Sequence, residues 1–215
     1  MYRDLTQPFE TGMQTFPGDP SVSVEPAATM DEDGCRVTAL QCGTHSGTHI
    51  DAPSHILPDG NSLDGYPLDR FVFDARVVDC SGLDPREPIP ATALPDDDAG
   101  DMVVCRTGWD DYWGTERYLD HPYFSPEAAD RCVEAGWSLG LDTLNPDPTP
   151  TEHASRDEPE GFPTHQRLLD NDLFILENLT NLADLDRCRL FAFPLAIPDA
   201  DGSPVRAVAR TEMGL

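Results

Sequence analysis

The chain of 215 residues contains no lysine: its 14 basic residues are all arginine, set against 40 aspartates and glutamates, for a formal net charge of −26. That shortage of positive charge excludes nucleic-acid binding, because gripping a phosphate backbone needs clustered Lys or Arg to displace its counterions. An anionic membrane surface would repel the same field, and no apolar run approaches the length of a membrane span. Nothing at the N-terminus resembles a secretory signal, so a cytoplasmic protein is expected. Cys-x-x-Cys pairs are also missing. Cys35, Cys42, Cys80, Cys105, Cys132 and Cys188 are dispersed, which reads as buried small hydrophobes or free thiols, not a disulfide framework. With no low-complexity linker and no internal repeat, 1–215 fits one domain.

The acidic residues are scattered among apolar segments, with one run at Asp96, Asp97 and Asp98. At 39% hydrophobic residues the chain holds too much apolar matter for a disordered acidic segment. A folded body with so acidic a surface suits concentrated salt, which screens exposed charges over about 3 Å at 1 M. The composition points to a halophile.

Turn-forming Pro and Gly punctuate a series of short elements. "CRVTALQC" (35–42), "FVFDARVVDC" (71–80) and "DMVVCR" (101–106) have strand content. "SPEAADRCVEAGW" (125–137) predicts a helix: Ser125 as N-cap, Pro126 in the first turn, Ala129, Cys132 and Val133 on one face, and Gly136 as the stop. "SLGLDT" (138–143) returns as a strand, completing a β-α-β unit. "THQRLLDN" (164–171) predicts a short helix capped by Thr164, followed by the strand "LFILEN" (173–178). "RLFAFPL" (189–195) and "PVRAVAR" (204–210) are the last strand candidates. The class is α/β, a mixed, partly curled sheet with a few helices outside it.

Half of the 6 histidines stand in "THSGTHIDAPSH" (44–55). His45, His49, Asp51 and His55 cannot share a helix face, since Asp51 would lie about 240° round from His45. On a straight strand His45 and Asp51 would be roughly 20 Å apart, too far for one ion. A turn at Ser46-Gly47 removes the conflict, because glycine tolerates the left-handed backbone such a turn needs. Two imidazoles and a carboxylate on one point suit a divalent metal such as zinc, or manganese with further oxygen ligands. His165 at the start of a short helix and Glu177 at the end of the following strand can meet at one end of the sheet. His121 and His153 sit in loop-like polar settings without ligand-spaced partners and receive no role. Cys42, beside apolar neighbours, reads as a buried thiol.

"HSGTHIDAPSH" (45–55) resembles the HxGTHxDxPxH signature of the metal-dependent cyclase family, which includes bacterial kynurenine formamidases and isatin hydrolases. "DLTQPFETGMQTFPGDP" (4–20), "RTGW" (106–109), "THQRLLDNDLFILENLTNL" (164–182) and "FPLAIPDADGSPVRAVA" (193–209) are similar to further elements of that family, in its order. The resemblance implies a swivelling β/β/α domain, a mixed β-barrel-like sheet with outer helices, assembled as a homodimer or higher homo-oligomer. It implies one or two divalent ions, Zn or Mn: His45, His49 and Asp51 as ligands of the first, with Asp51 bridging to a second held by His165 and Glu177. His55 would be the catalytic acid/base. The implied reaction is hydrolysis of a C–N amide bond in a small molecule, N-formylkynurenine above others, with cyclic amides or lactones as the alternative. Phe16 and Trp109 offer aromatic surface for a planar substrate ring. Phe16 stands where formamidases often carry Trp, and Ile56 where the family has Phe. A metal-binding protein without catalysis would have no need of His55.

Overall fold

Four short runs of Val, Leu, Ile and Cys form the centre of the molecule, and the rest of the chain wraps them. The computed structural model describes residues 1–96 and 100–211, so Asp97 and Asp98 of the acidic run lie outside the described residues. In chain order the elements are β1 (Tyr2–Asp4), β2 (Ser23–Ala28), α1 (Met30–Asp33), β3 (Val37–Gln41), β4 (His49–Asp51), β5 (Val72–Asp79), β6 (Pro88–Ile89), β7 (Met102–Arg106), β8 (Tyr123–Phe124), α2 (Pro126–Ala135), β9 (Ser138–Leu141), α3 (Pro163–Leu169), β10 (Ile175–Glu177), β11 (Arg187–Phe191), β12 (Gly202–Pro204) and β13 (Val208–Arg210).

Nine strands make one mixed sheet in the order β1-β13-β11-β5-β7-β9-β10-β4-β12. Its middle, β5-β7-β9-β10, is parallel, and antiparallel pairs flank it on both sides. β7 and β9 are buried on both faces, which is why "MVVC" and "SLGL" read as unbroken apolar runs. The C-terminal segment read as one strand is two. β12 leaves the sheet at one edge and β13 re-enters beside β1 at the opposite end, with only residues 205–207 between them. So short a link spans at most about 14 Å, and the sheet must curl until its ends nearly meet. Backbone contacts cross the closure just beyond β1 and β10: Thr180 N–H donates to Leu5 O at 3.0 Å, and Thr6 and Leu179 form an isolated antiparallel bridge.

Residues from both ends of the sheet, among them Leu5, Ile50, Phe73, Phe174 and Ala209, pack into one cluster inside the curl. On the outer face Val103, Cys105, Leu139, Leu141 and Ile175 pack against Ala128, Cys132 and Leu168 of the helices. Each buried Val, Leu, Ile or Phe among them contributes about 1.5–3 kcal/mol of transfer free energy. α2 forms as its sequence predicts: Ser125 Oγ accepts from Ala128 N–H at 3.2 Å, and Gly136, at φ 71°, closes the C-terminus. α3 starts differently. Pro163 occupies its first turn and Phe162 the cap position, while Thr164 is buried one step inside the helix.

β3 is present, but it pairs with β2 in a separate two-stranded hairpin, exposed along its length. Cys42, at its end, is therefore exposed, not buried; Cys35 is exposed too, whereas the other four cysteines are buried. Among the described residues no helix is long and apolar enough to cross a membrane.

Candidate active site

The histidine segment divides at its glycine. Gly47 adopts φ 64°, a left-handed conformation that favours glycine, and a Cβ there would also push against the terminal methyl of Met13 at 2.7 Å. After the turn, His49–Asp51 is itself a strand, β4, bonded between β10 and β12. Strand alternation sends Ile50 into the core and puts His49 and Asp51 together on the other face. The β4–β10 register sets His49 opposite Glu177. Asn178, in the left-handed region at φ 56°, then donates its amide to Gly47 O at 3.0 Å, fixing the turn to the end of β10.

All six residues that the resemblance marks as ligands or acid/base converge here. His49 Nε2 lies 3.2 Å from Glu177 Oε2 and 3.3 Å from Asp51 Oδ1. His165 Nε2 lies 3.3 Å from Glu177 Oε1 and 3.6 Å from Asp51 Oδ2. His45 Nδ1 is 2.7 Å from Asp51 Oδ1, back across the Gly47 turn. Three triplets have candidate ligand atoms within 4.8 Å of one another: His45/His49/Asp51 and Asp51/His165/Glu177, which share Asp51, and His45/His55/Asp201 beside them. His55 stacks on His45 with ring centroids 3.9 Å apart.

The donor set fits a divalent cation on two observations. Asp51 Oδ2 and Glu177 Oε1 are buried without any hydrogen-bond partner, an expensive condition for carboxylate oxygens. The imidazoles also hold protons strongly. Burial opposes a charge on His45, but Asp51 and Asp201 overcome it and raise its pKa to about 9. His49 and His165 are likewise raised well above 6.5 against their burial, by Asp51 and Glu177 and, for His165, by Asp147. Asp51 is held well below the carboxylate range, despite burial, by His49 and His45. The site demands positive charge. His55 differs: burial, with His45 and His165 beside it, lowers its pKa, so it is neutral at neutral pH.

Each imidazole that faces this cluster is anchored through its other nitrogen. His49 Nδ1 donates to Gly47 O at 2.7 Å, His165 Nδ1 meets Asp147 Oδ2 at 2.7 Å, and His45 Nε2 meets Asp201 Oδ2 at 3.1 Å. Asp201 also accepts from Thr44 Oγ1 and stands 3.7 Å from His55 Nδ1. Gly202, next to it, leaves room for the His45 ring: a Cβ there would lie 2.5 Å from His45 Cε1. Sequence reasoning missed Asp147 and Asp201. Their only signals are the turn-forming runs "NPDPT" (145–149) and "DADG" (199–202), which say loop and not site.

Above the cluster opens a cavity of about 310 Å³, walled by Phe16, Ile56, Leu144 and Phe162, with Asp19 and Asn145 as polar groups. Phe16 thus lines the cavity, as its reading as substrate surface requires. Trp109 does not. It is 4% exposed, packed with Tyr118 and Leu144, and donates its Nε1–H to Arg117 O, so it supports the wall from behind. Phe162 was not anticipated; its ring lies 6.0 Å from Phe16 and 5.7 Å from His165. His153 is exposed beside Asp120, but His121 is buried between Pro122 O and Thr149 Oγ1, not in an open polar loop.

The profile of the Cyclase family matches residues 3–148. The chain belongs to the cyclase family. Cyclase-family relatives extend the likeness to nearly the full length. The chain is 33% identical over 214 residues to a kynurenine formamidase of Bacillus cereus and 32% identical over 216 residues to one of Salinibacter ruber, covering 96% of both chains in each pair. Isatin hydrolase A from Ralstonia solanacearum superposes with a TM-score of 0.86 at 27% identity, covering 97% of this chain and 91% of that one. The curled mixed sheet with outer helices is the cyclase fold.

Proposed function

We propose that the protein is a metal-dependent hydrolase of a non-peptide C–N amide bond, with an aryl formamide such as N-formylkynurenine as its substrate. The observation that carries this reading is the convergence of three imidazoles and two carboxylates, two of their oxygens unpartnered, at the foot of an aromatic-walled cavity that His55 also lines. His45, His49 and Asp51 would hold one divalent ion, Zn or Mn, and Asp51, His165 and Glu177 a second. When bound, such an ion acidifies a water and offsets negative charge developing on a carbonyl oxygen. The protein residues supply the rest. Phe16 and Phe162 take the aryl ring, and the apolar walls exclude bulk water. In the reaction the water oxygen bonds to the formyl carbon, the C–N bond breaks, and the arylamine nitrogen leaves with a proton as formate forms. His55 carries that proton: neutral at the start, with Nδ1 towards Asp201, it takes the proton at Nε2 and returns it to the leaving nitrogen.

The kynurenine formamidase relatives support the formamide, and the backbone likeness to isatin hydrolases supports a cyclic amide as the second reading. The test is a hydrolysis assay in molar salt with Zn²⁺ or Mn²⁺, comparing N-formylkynurenine, isatin and simple lactones. N-Formylkynurenine is expected to have the highest kcat/KM, chelation to abolish turnover, and His55→Ala to lower kcat by about 10²–10⁴ with metal content retained. Turnover that survives chelation and metal depletion, or loss of metal in His55→Ala, contradicts the assignment.

A further inference from the structure

The third imidazole of the cluster is anchored unlike the other two. Asp147 is completely buried, and both of its oxygens are engaged. Oδ1 accepts from Thr164 N–H at 2.8 Å; Oδ2 accepts from His165 N–H at 3.1 Å and from His165 Nδ1 at 2.7 Å. We propose that Asp147 is the positioning residue of His165, setting which nitrogen of that ring faces the ligand cluster and at what angle. The inference rests on reading the cluster as a metal centre.

An ionised carboxylate only accepts hydrogen bonds, so its contact with Nδ1 requires the proton on Nδ1. The lone pair is then on Nε2, the atom 3.3 Å from Glu177 Oε1 and 3.6 Å from Asp51 Oδ2. The two backbone bonds prevent ring and carboxylate from drifting together. They tie Asp147 to the first turn of α3, where N–H groups have no partner inside the helix and Phe162 at the cap position has no side chain to offer.

Asp147 is itself held from the other side. Its N–H donates to Asn145 Oδ1 at 2.8 Å, and Asn145 Nδ2 donates to Thr149 Oγ1 at 2.9 Å. Pro146 and Pro148 flank it with φ restricted by their rings. These bonds and the flanking rings restrain the loop that carries Asp147. The partner of His49 is a neutral carbonyl and that of His45 a half-exposed carboxylate; only His165 has a buried charged one. Outer carboxylates of this kind orient a ligating imidazole and raise its basicity.

The experiment is a competition titration of Zn²⁺ against a chelator, on the wild-type protein, Asp147→Asn and Asp147→Ala, with the number of bound ions counted. Asparagine keeps an acceptor for the backbone N–H groups and loses the charge. It is expected to weaken one of the bound ions by about 10–100-fold, and alanine by more. A merely structural role would lower the melting temperature of the metal-free variants while the folded fraction bound Zn²⁺ with wild-type affinity, and that result overturns the proposal. Wild-type protein that binds no divalent ion overturns the metal reading instead. If neither variant folds, long-range ¹⁵N correlation spectra of the Zn²⁺-loaded wild type decide. A proton on His165 Nδ1 with the metal on Nε2 is expected, its signals identified by their loss in His165→Gln; metal on Nδ1 overturns it.

Discussion

The ligand cluster has two sides built on different principles. On the inner side His49, Asp51, His165 and Glu177 are all at most 4% exposed and are carried by β4, α3 and β10, with strand register and helix start fixing their positions. On the rim, the side chains of His45, His55 and Asp201 are 16%, 31% and 42% exposed and come from a turn, a short 3-10 segment and the entry to β12. The inner side has buried carboxylate oxygens without hydrogen-bond partners, an environment that favours positive charge beside them. The rim has water within reach and can exchange protons. Under the proposed function, the wall would hold the charge and the edge would pass the protons.

Exchanging one carboxylate on each side for its amide tests this division hardest. Asp51→Asn removes the charge shared by both triplets in a site with no solvent to replace it. Metal binding is expected to collapse, and kcat to fall by about 10³-fold or more, the upper end of what removing one charge-stabilising group costs. Asp201→Asn keeps an acceptor for His45 and Thr44 at a half-exposed position, and a loss of about tenfold in kcat with metal retained is expected, the scale of weakening a group that orients an imidazole through its far nitrogen. Metal content by elemental analysis separates them. Equal metal loss in the two variants would erase the distinction between wall and rim.

The inner side was also the more legible in sequence. His49 and Asp51 are two apart, so any strand puts them on one face, and the glycine two residues before His49 marks the turn that brings His45 back. His165 opens a helix and Glu177 ends a strand whose patterns are plain, and the resemblance of 164–182 to the family implies their roles. What could not be read is whatever depends on loops meeting across long sequence gaps: Asp147 on His165, Asp201 on His45, Phe162 beside Phe16. Turn residues announce a loop without saying where it lands. Trp109 failed for a related reason, since an aromatic beside "RTG" looks the same in sequence whether it lines a cavity or supports the residue that does. The separate hairpin and the split of 204–210 are consequences of sheet closure, a global property that no local pattern carries.

A smaller effect probes what backs the inner wall. Asn145 donates to Thr149 Oγ1, and Thr149 in turn meets His121 Nε2 at 2.8 Å; His121 Nδ1 faces Pro122 O, which can only accept, so Nδ1 carries a proton. Burial lowers the His121 pKa to about 4. In the unfolded chain the same ring titrates near 6.5, so between those values the unfolded state binds more protons. Stability is therefore full above about pH 6.5 and is lost as pH falls towards 4, by about 3 kcal/mol in all. Urea unfolding in molar salt at pH 7 and pH 5 should show a steeper loss for the wild type than for His121→Asn, which keeps a donor for Pro122 O and removes the titration. Equal losses would show that the wall is not acid-sensitive through this ring.

The smallest expected effect belongs to the rim. Phe162 is 46% exposed, so its removal should cost little stability, yet its ring faces Phe16 over the cavity. An aromatic contact of this kind contributes about 0.5–1.5 kcal/mol, so Phe162→Ala should raise KM for an aryl formamide by about 2–10-fold. A contact made to the aryl ring alone is equal in ground and transition states, and on that footing kcat should stay within experimental error of wild type. Phe162 also meets His165 edge-on at 5.7 Å, which supplies the rival outcome. A fall in kcat at unchanged KM would mean that the ring acts through His165, and that the rim reaches into the wall it was contrasted with.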